Sequence, residues 1–220
     1  MIQGIRWNQV ARRFATFGVG IWVLGMLMFS TGTAWAGQVG QLRVLVGEAS
    51  ITRGSQVIQV RQVTTLEDGD SVQTQADSRA YIKLSQAVGG GEALVQELTI
   101  VQVNDLTGAN KTSPLVLTIG SLRTHVAKWL RAEPYVYTAT ATIGIKGTDF
   151  ITWVKKPNAT EFVGVDGLIE CVSRSRPEYS IQIGKKRWGE IVEGQKPNAP
   201  IEVPDALWAA ALHDYAFPAQ

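Results

Sequence analysis

Short runs of alternating apolar and polar residues recur along the chain from Gln38 onward. In residues 41–46, Leu42, Val44 and Val46 fall on one face of an extended segment, and residues 80–84 repeat the arrangement. A period of two is typical of a β-strand with one buried and one wet face. Further runs of this kind lie at residues 98–103, 115–119, 150–154, 160–165 and 181–183. The pattern therefore predicts an all-β domain.

Turn-forming residues separate these runs. Asp166-Gly167, for example, lies between two apolar runs, where a tight turn requires a positive φ. The runs recur roughly every 8–12 residues, as they do in all-β sandwiches, barrels and β-helical stacks. This spacing leaves the three architectures open. No long helical pattern interrupts the strands, and no internal repeat of fixed period is present.

Two segments have helical character. Residues 121–131 fit either one short helix or a further strand. Residues 204–213 begin with Pro204-Asp205 and continue with strong helix formers, which predicts a C-terminal helix. Its Leu207, Ala211 and Tyr215 are expected to face the domain, and the helix is expected to cover an edge or end of the sheet. We therefore expect one β-domain over residues 37–193 and a C-terminal extension over residues 194–220.

The first 36 residues have the layout of a bacterial signal peptide. The basic pair Arg12-Arg13 precedes an apolar run over residues 14–29, and Ala34-Trp35-Ala36 forms a small-residue site that would be cut before Gly37. The alternative is an uncleaved membrane anchor. Either way the positive end stays in the cytoplasm, so residues 37–220 are expected in the periplasm or cell envelope. Membrane contact is expected only through residues 12–30, before cleavage.

The charge balance gives no reason to expect nucleic acid as a partner. The chain carries 21 basic and 19 acidic residues, but Arg6, Arg12 and Arg13 lie in the signal segment, which contains no acid. Residues 37–220 therefore hold 18 basic against 19 acidic side chains, a net charge of −1. A near-neutral domain lacks the basic surface that binds phosphates.

Residues for catalysis or metal binding are scarce. Cys171 is the one cysteine, and neither His125 nor His213 lies at ligand spacing from it or from the other. Gly89-Gly90-Gly91 lacks the Lys-Ser/Thr that follows a phosphate loop. A Cys171–His125 nucleophilic pair is one catalytic combination that the sequence offers, but we expect instead a buried, inert thiol. Asp149 and Asp166 as paired carboxylates are another, but both are expected to be turn or strand-end residues. We predict no enzyme activity, no metal and no cofactor.

The aromatic residues suggest one candidate contact surface. Most tryptophans of residues 37–220 are expected in the core. Trp129 is the exception, because it stands beside Lys128 and Arg131. A surface cluster of Trp129, Tyr135 and Tyr137 would favour binding of carbohydrate.

A segment over residues 138–150, followed by residues 161–169, resembles the core of the FecR domain family. The residues that carry the resemblance are Thr140, Gly144, Lys146, Gly147, Thr148, Phe150 and, in the following hairpin, Gly167. Residues 40–51, 66–74, 79–84 and 117–123 match other parts of the family pattern in the same order. The resemblance covers about residues 38–193, and the ordered set of matches is more specific than any one of them.

The motif has a physical explanation apart from the family. Gly144 and Gly147 permit backbone geometry suited to a bulge or tight corner, Thr148 can hydrogen-bond to local backbone, and Phe150 supplies a core anchor. The structural role is sufficient. A ligand-contact role for Lys146 or Asp149 is the alternative.

The resemblance implies a twisted β-helical or solenoid-like stack that acts as a periplasmic sensor. Well-known members carry a cytoplasmic anti-sigma region before a transmembrane helix, whereas here about 13 residues precede the apolar run. Direct control of a sigma factor is therefore not expected, and the chain resembles a stand-alone exported member.

Three functions follow as hypotheses. The first is an envelope module that senses or scaffolds through protein contacts, which an unprotected β-edge or an apolar groove would favour. The second is a carbohydrate or cell-wall binding module that uses surface aromatics. The third is an exported enzyme, which a cleft joining His125 to Cys171 or to a carboxylate would favour.

Overall fold

The computed structural model describes residues 37–106, 113–129, 134–145 and 147–218. Contacts group these residues in one unit, 35–220. The predicted signal segment, with Ala34 and Ala36, lies outside the described residues, and so does Lys146. Among the described residues, no helix is both long and apolar enough to span a membrane.

The described residues form 17 strands and one α-helix. The strands are β1 (Gln38–Val46), β2 (Ala49–Arg53), β3 (Gln56–Val60), β4 (Val63–Glu67), β5 (Ser71–Thr74), β6 (Arg79–Leu84), β7 (Glu92–Val95), β8 (Ile100–Val103), β9 (Leu115–Val126), β10 (Val136–Tyr137), β11 (Ala141–Ile145), β12 (Thr148–Lys156), β13 (Ala159–Asp166), β14 (Ile169–Ser173), β15 (Ser180–Ile183), β16 (Arg187–Val192) and β17 (Ile201–Glu202). The helix α1 spans Asp205–Asp214. The prediction of an all-β domain with a short C-terminal helix is confirmed.

The strands form two sheets that share one strand. Sheet A has the order β4-β1-β6-β7-β9-β12-β13-β16-β17. Sheet B has the order β3-β2-β5-β8-β9-β10-β11-β14-β15. The residues of β9 up to Ile119 pair in sheet B, and those from Gly120 onward pair in sheet A. Neighbouring strands are antiparallel throughout, apart from the parallel pair β9–β10.

The core lies between the two sheets. Leu42, Ile82 and Phe150 of sheet A and Ile51 and Leu117 of sheet B are all fully buried in one apolar cluster. Of the architectures that the sequence left open, the protein is thus a two-layer sandwich. Its chain passes repeatedly from one layer to the other, as in a solenoid, but the pairing is antiparallel rather than the parallel pairing of a β-helix.

The segment that the sequence left undecided is a strand up to Val126. Leu122, Thr124 and Val126 point into the core, whereas Arg123 and His125 lie on the outer face of sheet A. This alternation has the period of a strand, and pairing with both β7 and β12 fixes it.

The C-terminal helix lies where the sequence did not predict it. Leu207, expected to face the domain, is 63% exposed. Ala211 and Tyr215 face the domain as predicted, and Trp208 and Leu212 take the place of Leu207, at the spacing of one helical face. They pack on Leu94, Ile151 and Val165, which lie on the outer face of sheet A. The helix therefore covers a sheet face rather than an edge, because that face carries apolar side chains that need cover.

Of the two motif glycines expected to have special backbone geometry, Gly147 has it and Gly144 does not. Gly147 has φ +91° at the corner between β11 and β12, and a Cβ there would lie 2.8 Å from the carbonyl oxygen of Ala127. Gly144 lies within β11 without a positive φ, and its Cβ would meet nothing closer than the Glu170 carbonyl oxygen at 3.8 Å. The expectation of special backbone geometry at Gly144 is wrong, because the corner begins later in the chain.

Gly147→Ala should therefore lower the free energy of unfolding by at least about 2 kcal/mol, because the methyl group clashes with backbone and the residue is forced to a positive φ. Gly144→Ala is the matched control and should change it by less than about 1 kcal/mol. Urea denaturation of both variants measures this. Equal losses in the two variants would contradict the assignment of the corner to Gly147.

Candidate functional site

The family motif builds a corner of the sandwich. The backbones of Gly147 and Gly167 approach so closely that a Cβ on Gly167 would lie 2.7 Å from the carbonyl oxygen of Gly147. Phe150 is fully buried in the core. Thr148 is buried, but its hydroxyl has no hydrogen-bond partner among the described residues, so the expected bond to local backbone is absent. These residues hold two layer-crossing turns together.

Thr140 belongs to a buried chain of hydroxyl groups. The Thr160 Oγ1 lies 2.7 Å from the Thr140 Oγ1 and 2.8 Å from the Thr138 Oγ1. Thr138 Oγ1 also accepts from the Ala141 backbone N–H at 3.0 Å. The motif threonine is therefore a structural residue that links the β10–β11 turn to β13.

Asp149 is held by an arginine and is not open to a ligand. Arg123 Nε donates to Asp149 Oδ1 at 2.8 Å, and Arg123 Nη2 donates to Oδ2 at 2.5 Å. Asp149 is only 8% exposed. The sequence analysis gave a contact role for Asp149 as the alternative to a structural one, and the ion pair with Arg123 favours the structural role.

The C-terminal residues close over this ion pair. We call residues 205–217 the strap. Arg123 Nη1 donates to the backbone carbonyl oxygen of Tyr215 at 2.9 Å, and the Arg123 guanidinium lies 4.9 Å from the centre of the Phe217 ring. The Tyr215 hydroxyl donates to Ser121 Oγ at 2.7 Å and accepts from Trp153 Nε1 at 2.6 Å. The outer face of sheet A is thus occupied by the chain's own end.

Trp129 does not lie on a surface. It is 6% exposed and meets Tyr135 edge-on, with ring centres 4.8 Å apart. Tyr135 is fully buried and donates its hydroxyl to the Gly90 carbonyl oxygen at 2.7 Å. The prediction that Trp129 lies at the surface is therefore wrong, and the surface cluster with Tyr135 and Tyr137 that would have favoured carbohydrate binding is not formed. Adjacent charges suggested exposure, but the glycines at 89–91 leave room beside them for both rings.

Cys171 is a buried thiol, as predicted, and it does not pair with His125. Cys171 is fully buried in the core on sheet B, where burial raises the pKa of its thiol, whereas His125 lies on the outer face of sheet A. His125 is instead 3.9 Å from Asp149, which Arg123 already holds. Within the described ranges no group of three or more His, Cys, Asp or Glu side chains could hold a metal ion.

An open groove lies on the outer face of sheet B. It has a volume of about 470 Å³, and its lining includes Tyr137, Thr142, Val172, Arg174 and Glu193. The Arg174 guanidinium lies 4.4 Å from the centre of the Tyr137 ring. Nothing in the sequence singled out Arg174. The strand that precedes it, β14, was not among the predicted runs either.

Sheet B also has an uncharged edge. Within the described residues β3 pairs with β2 alone, and its sequence Gln-Val-Ile-Gln-Val contains no charge and no proline. Val57, at the second position of this strand, is 64% exposed. Natural sheets usually protect their edges with lysine, proline, bulges or covering segments. The feature that the sequence analysis linked to protein recognition, an unprotected edge, is therefore present in this part of the chain.

Comparison with known proteins adds little to this picture. No protein-family model matches the sequence, and curated proteins give no match either. Two crystal structures of a protein from Parabacteroides distasonis, described as a "putative anti-sigma factor", have a similar backbone at 12% identity and a TM-score of 0.49. The likeness covers 64% of this chain and 64% of the other in one case, and 65% and 63% in the second. The chain thus spans less than two thirds of that protein, and a likeness this weak carries no conclusion about family or function.

The hydroxyl chain gives a test of the motif's structural role. Thr160→Val should lower the free energy of unfolding by about 1–3 kcal/mol, because Thr140 and Thr138 lose a buried partner. Thr152→Val removes a buried hydroxyl that has no partner among the described residues, so it should be neutral or stabilising by about 1 kcal/mol. Thermal and urea unfolding compare the two. A larger loss in Thr152→Val would contradict this account.

Burial of Tyr135 predicts a dependence on alkaline pH. Burial raises the pKa of the Tyr135 phenol well above its ordinary value of 10.0, so folding opposes its ionisation. Its contribution to stability is complete below the unfolded pKa and is lost as pH rises above about 10, by up to about 1.4 kcal/mol per pH unit. Tyr135→Phe should be less stable at pH 8, where it lacks the bond to Gly90, and the difference from the natural chain should shrink above pH 10.

Urea unfolding at pH 8 and pH 11 measures this difference. Tyr81 titrates in the same range, because burial and the bond to Glu92 raise its pKa to about 12, but it is present in both chains and cancels. A gap that stays constant with pH would show that Tyr135 ionises in the folded protein.

Proposed function

We propose that residues 37–220 form an exported, non-enzymatic, FecR-type module of the bacterial periplasm or cell envelope that senses or scaffolds by binding a protein. The observation that carries the proposal is the uncharged edge of sheet B at β3, which pairs with no described strand other than β2. The signal-like segment 1–36 supports export, and the ordered motifs support the family.

The hairpin geometry indicates which backbone groups are available at this edge. Gly54 and Ser55 form a two-residue turn closed by the pair Arg53 and Gln56, and Gly54 has φ +57°. Pairs alternate between hydrogen-bonded and non-bonded types along such a hairpin, so Val57 and Gln59 direct their backbone N–H and C=O away from β2. An extended peptide could add to sheet B by bonding to these groups.

The charges around β3 favour a short, defined partner strand. Arg53 on one side is already engaged with Asp70 and Glu67. Arg61 follows the strand on the other side. The recognised segment is therefore about five residues long and ends at a positive charge, which favours partners with an acidic residue just beyond the added strand.

The carbohydrate-binding hypothesis and the enzyme hypothesis have no comparable supporting observation. Trp129 and Tyr135 are buried, so the aromatic surface that would favour a carbohydrate module is not formed. His125 meets a carboxylate that Arg123 already holds, which is not the arrangement of a general base and a nucleophile.

Site-specific photo-crosslinking in cells tests the proposal. A photo-reactive residue at Val57 should capture one envelope protein, whereas the same residue at Leu207 should not, although the two positions are 64% and 63% exposed. Val57→Pro removes the outward N–H and should reduce binding of the captured protein by about tenfold or more. The mature N-terminus, read from the same samples, should be Gly37.

Three results would contradict the proposal. Equal adducts at Val57 and Leu207 would indicate nonspecific contact. Full binding by Val57→Pro, with its fold intact by circular dichroism, would exclude strand addition at β3. Retention of residues 1–36 in the mature protein would indicate a membrane anchor rather than a cleaved signal peptide.

A further inference from the structure

Three arginines of this domain are held in fixed orientations, and they can be compared. Arg53 binds Asp70 through Nε and Nη2, at 2.9 and 2.7 Å. Arg123 binds Asp149 through the same two nitrogens, at 2.8 and 2.5 Å. This edge of the guanidinium presents two parallel N–H groups that match the two oxygens of a carboxylate. In both cases the carboxylate is nearly or fully buried.

Arg174 is also held in position, but through its third guanidinium nitrogen, Nη1. Arg174 Nη1 donates to the Thr138 carbonyl oxygen at 2.9 Å and to the Ala139 carbonyl oxygen at 3.1 Å. Its guanidinium also lies 4.4 Å from the centre of the Tyr137 ring. The orientation of the group is therefore set before any ligand binds, which lowers the entropy cost of binding.

The carboxylate-binding edge of Arg174 is open. No described residue accepts a hydrogen bond from its Nε or Nη2, and no described carboxylate forms an ion pair with it, whereas Arg53 and Arg123 have both. Arg174 also lines the groove of about 470 Å³ on sheet B. We propose that this groove is a receptor for the free carboxylate of a polypeptide, bound by Nε and Nη2 of Arg174.

The lining of the groove distinguishes a peptide from an acidic sugar. A sugar ring would need an exposed aromatic face, and the guanidinium covers the face of Tyr137. Val172 and Pro177 supply apolar surface beside the arginine, which suits an aliphatic side chain next to the carboxylate. Ser175 and Glu193 lie in the same groove and can accept hydrogen bonds from peptide N–H groups.

Glu193 also limits the charge of the ligand. Its carboxylate repels any negative group in the groove, and only a ligand carboxylate bonded to Arg174 has that repulsion offset. The receptor therefore fits a single carboxylate with an uncharged neighbour. This surface is distinct from the β3 edge, so the inference does not rest on strand addition there.

Titration monitored by NMR of the arginine Nε–H groups tests the receptor in the purified protein. The probe is N-acetyl-alanyl-alanine with a free carboxylate, and its C-terminal amide is the matched control. We expect a saturable shift of the Arg174 Nε–H signal by the acid at millimolar concentration, and binding at least about tenfold weaker for the amide. The Arg53 and Arg123 signals, already bonded to carboxylates, should not move.

Two variants distinguish bidentate binding by the guanidinium from simple charge attraction. Arg174→Lys keeps the charge but loses the two parallel N–H groups of the guanidinium, and should weaken binding of the acid peptide about tenfold. Arg176→Lys, at an exposed arginine two residues along that pairs with Glu178, should leave binding unchanged. Equal binding of acid and amide, an equal effect of the two variants, or no saturation up to about 50 mM would overturn the proposal. Binding of galacturonate but not of the acid peptide would overturn the choice of a polypeptide.

Discussion

Both sheets depend on the single strand β9. Its residues up to Ile119 pair with β8 and β10 in sheet B, and those from Gly120 onward pair with β7 and β12 in sheet A. The hydroxyl of Thr99 fixes the crossing point, because it accepts from the Ser121 backbone N–H at 2.9 Å and lies 3.2 Å from the Ser121 carbonyl oxygen. A slip of β9 by one residue would disturb its pairing in both sheets and would turn the core side chains of β9 outward. The two registers are therefore set together.

The same strand connects the core to the covered face. Ser121, Arg123 and His125 alternate outward from β9, and the first two bind Tyr215 of the strap. Arg123 also neutralises Asp149, which would be a costly buried charge without it. The strap therefore adds cover to an ion pair that β9 and β12 already form. Its hold on sheet A depends on the register of β9.

The sequence predicts the class of the fold better than its functional surfaces. Alternation of apolar residues identified the strands because one face of each strand is buried, as at Leu42 and Ile82. It could not tell which strands share a sheet, since that depends on corners such as the one at Gly147. The sequence analysis placed Trp129 at the surface because charged residues neighbour it in the chain. Its ring instead packs into space left by glycines that are distant in sequence, such as Gly89. Arg174 was missed because its fixed orientation comes from carbonyl groups 35 and 36 residues away.

The two outer faces of the sandwich differ in what covers them, and this difference limits where a partner can bind. The strap occupies sheet A with Trp208, Leu212, Tyr215 and Phe217. Sheet B keeps a row of half-buried side chains open across its strands, and its edge at β3 carries no charge. An unprotected edge favours aggregation unless it is short or occupied. At five residues β3 has an ordinary strand length, so it is long enough to pair with one added strand. Within the part of the chain that the structure describes, the strap packs on the apolar centre of sheet A, whereas the edge of sheet B at β3 is paired on one side only.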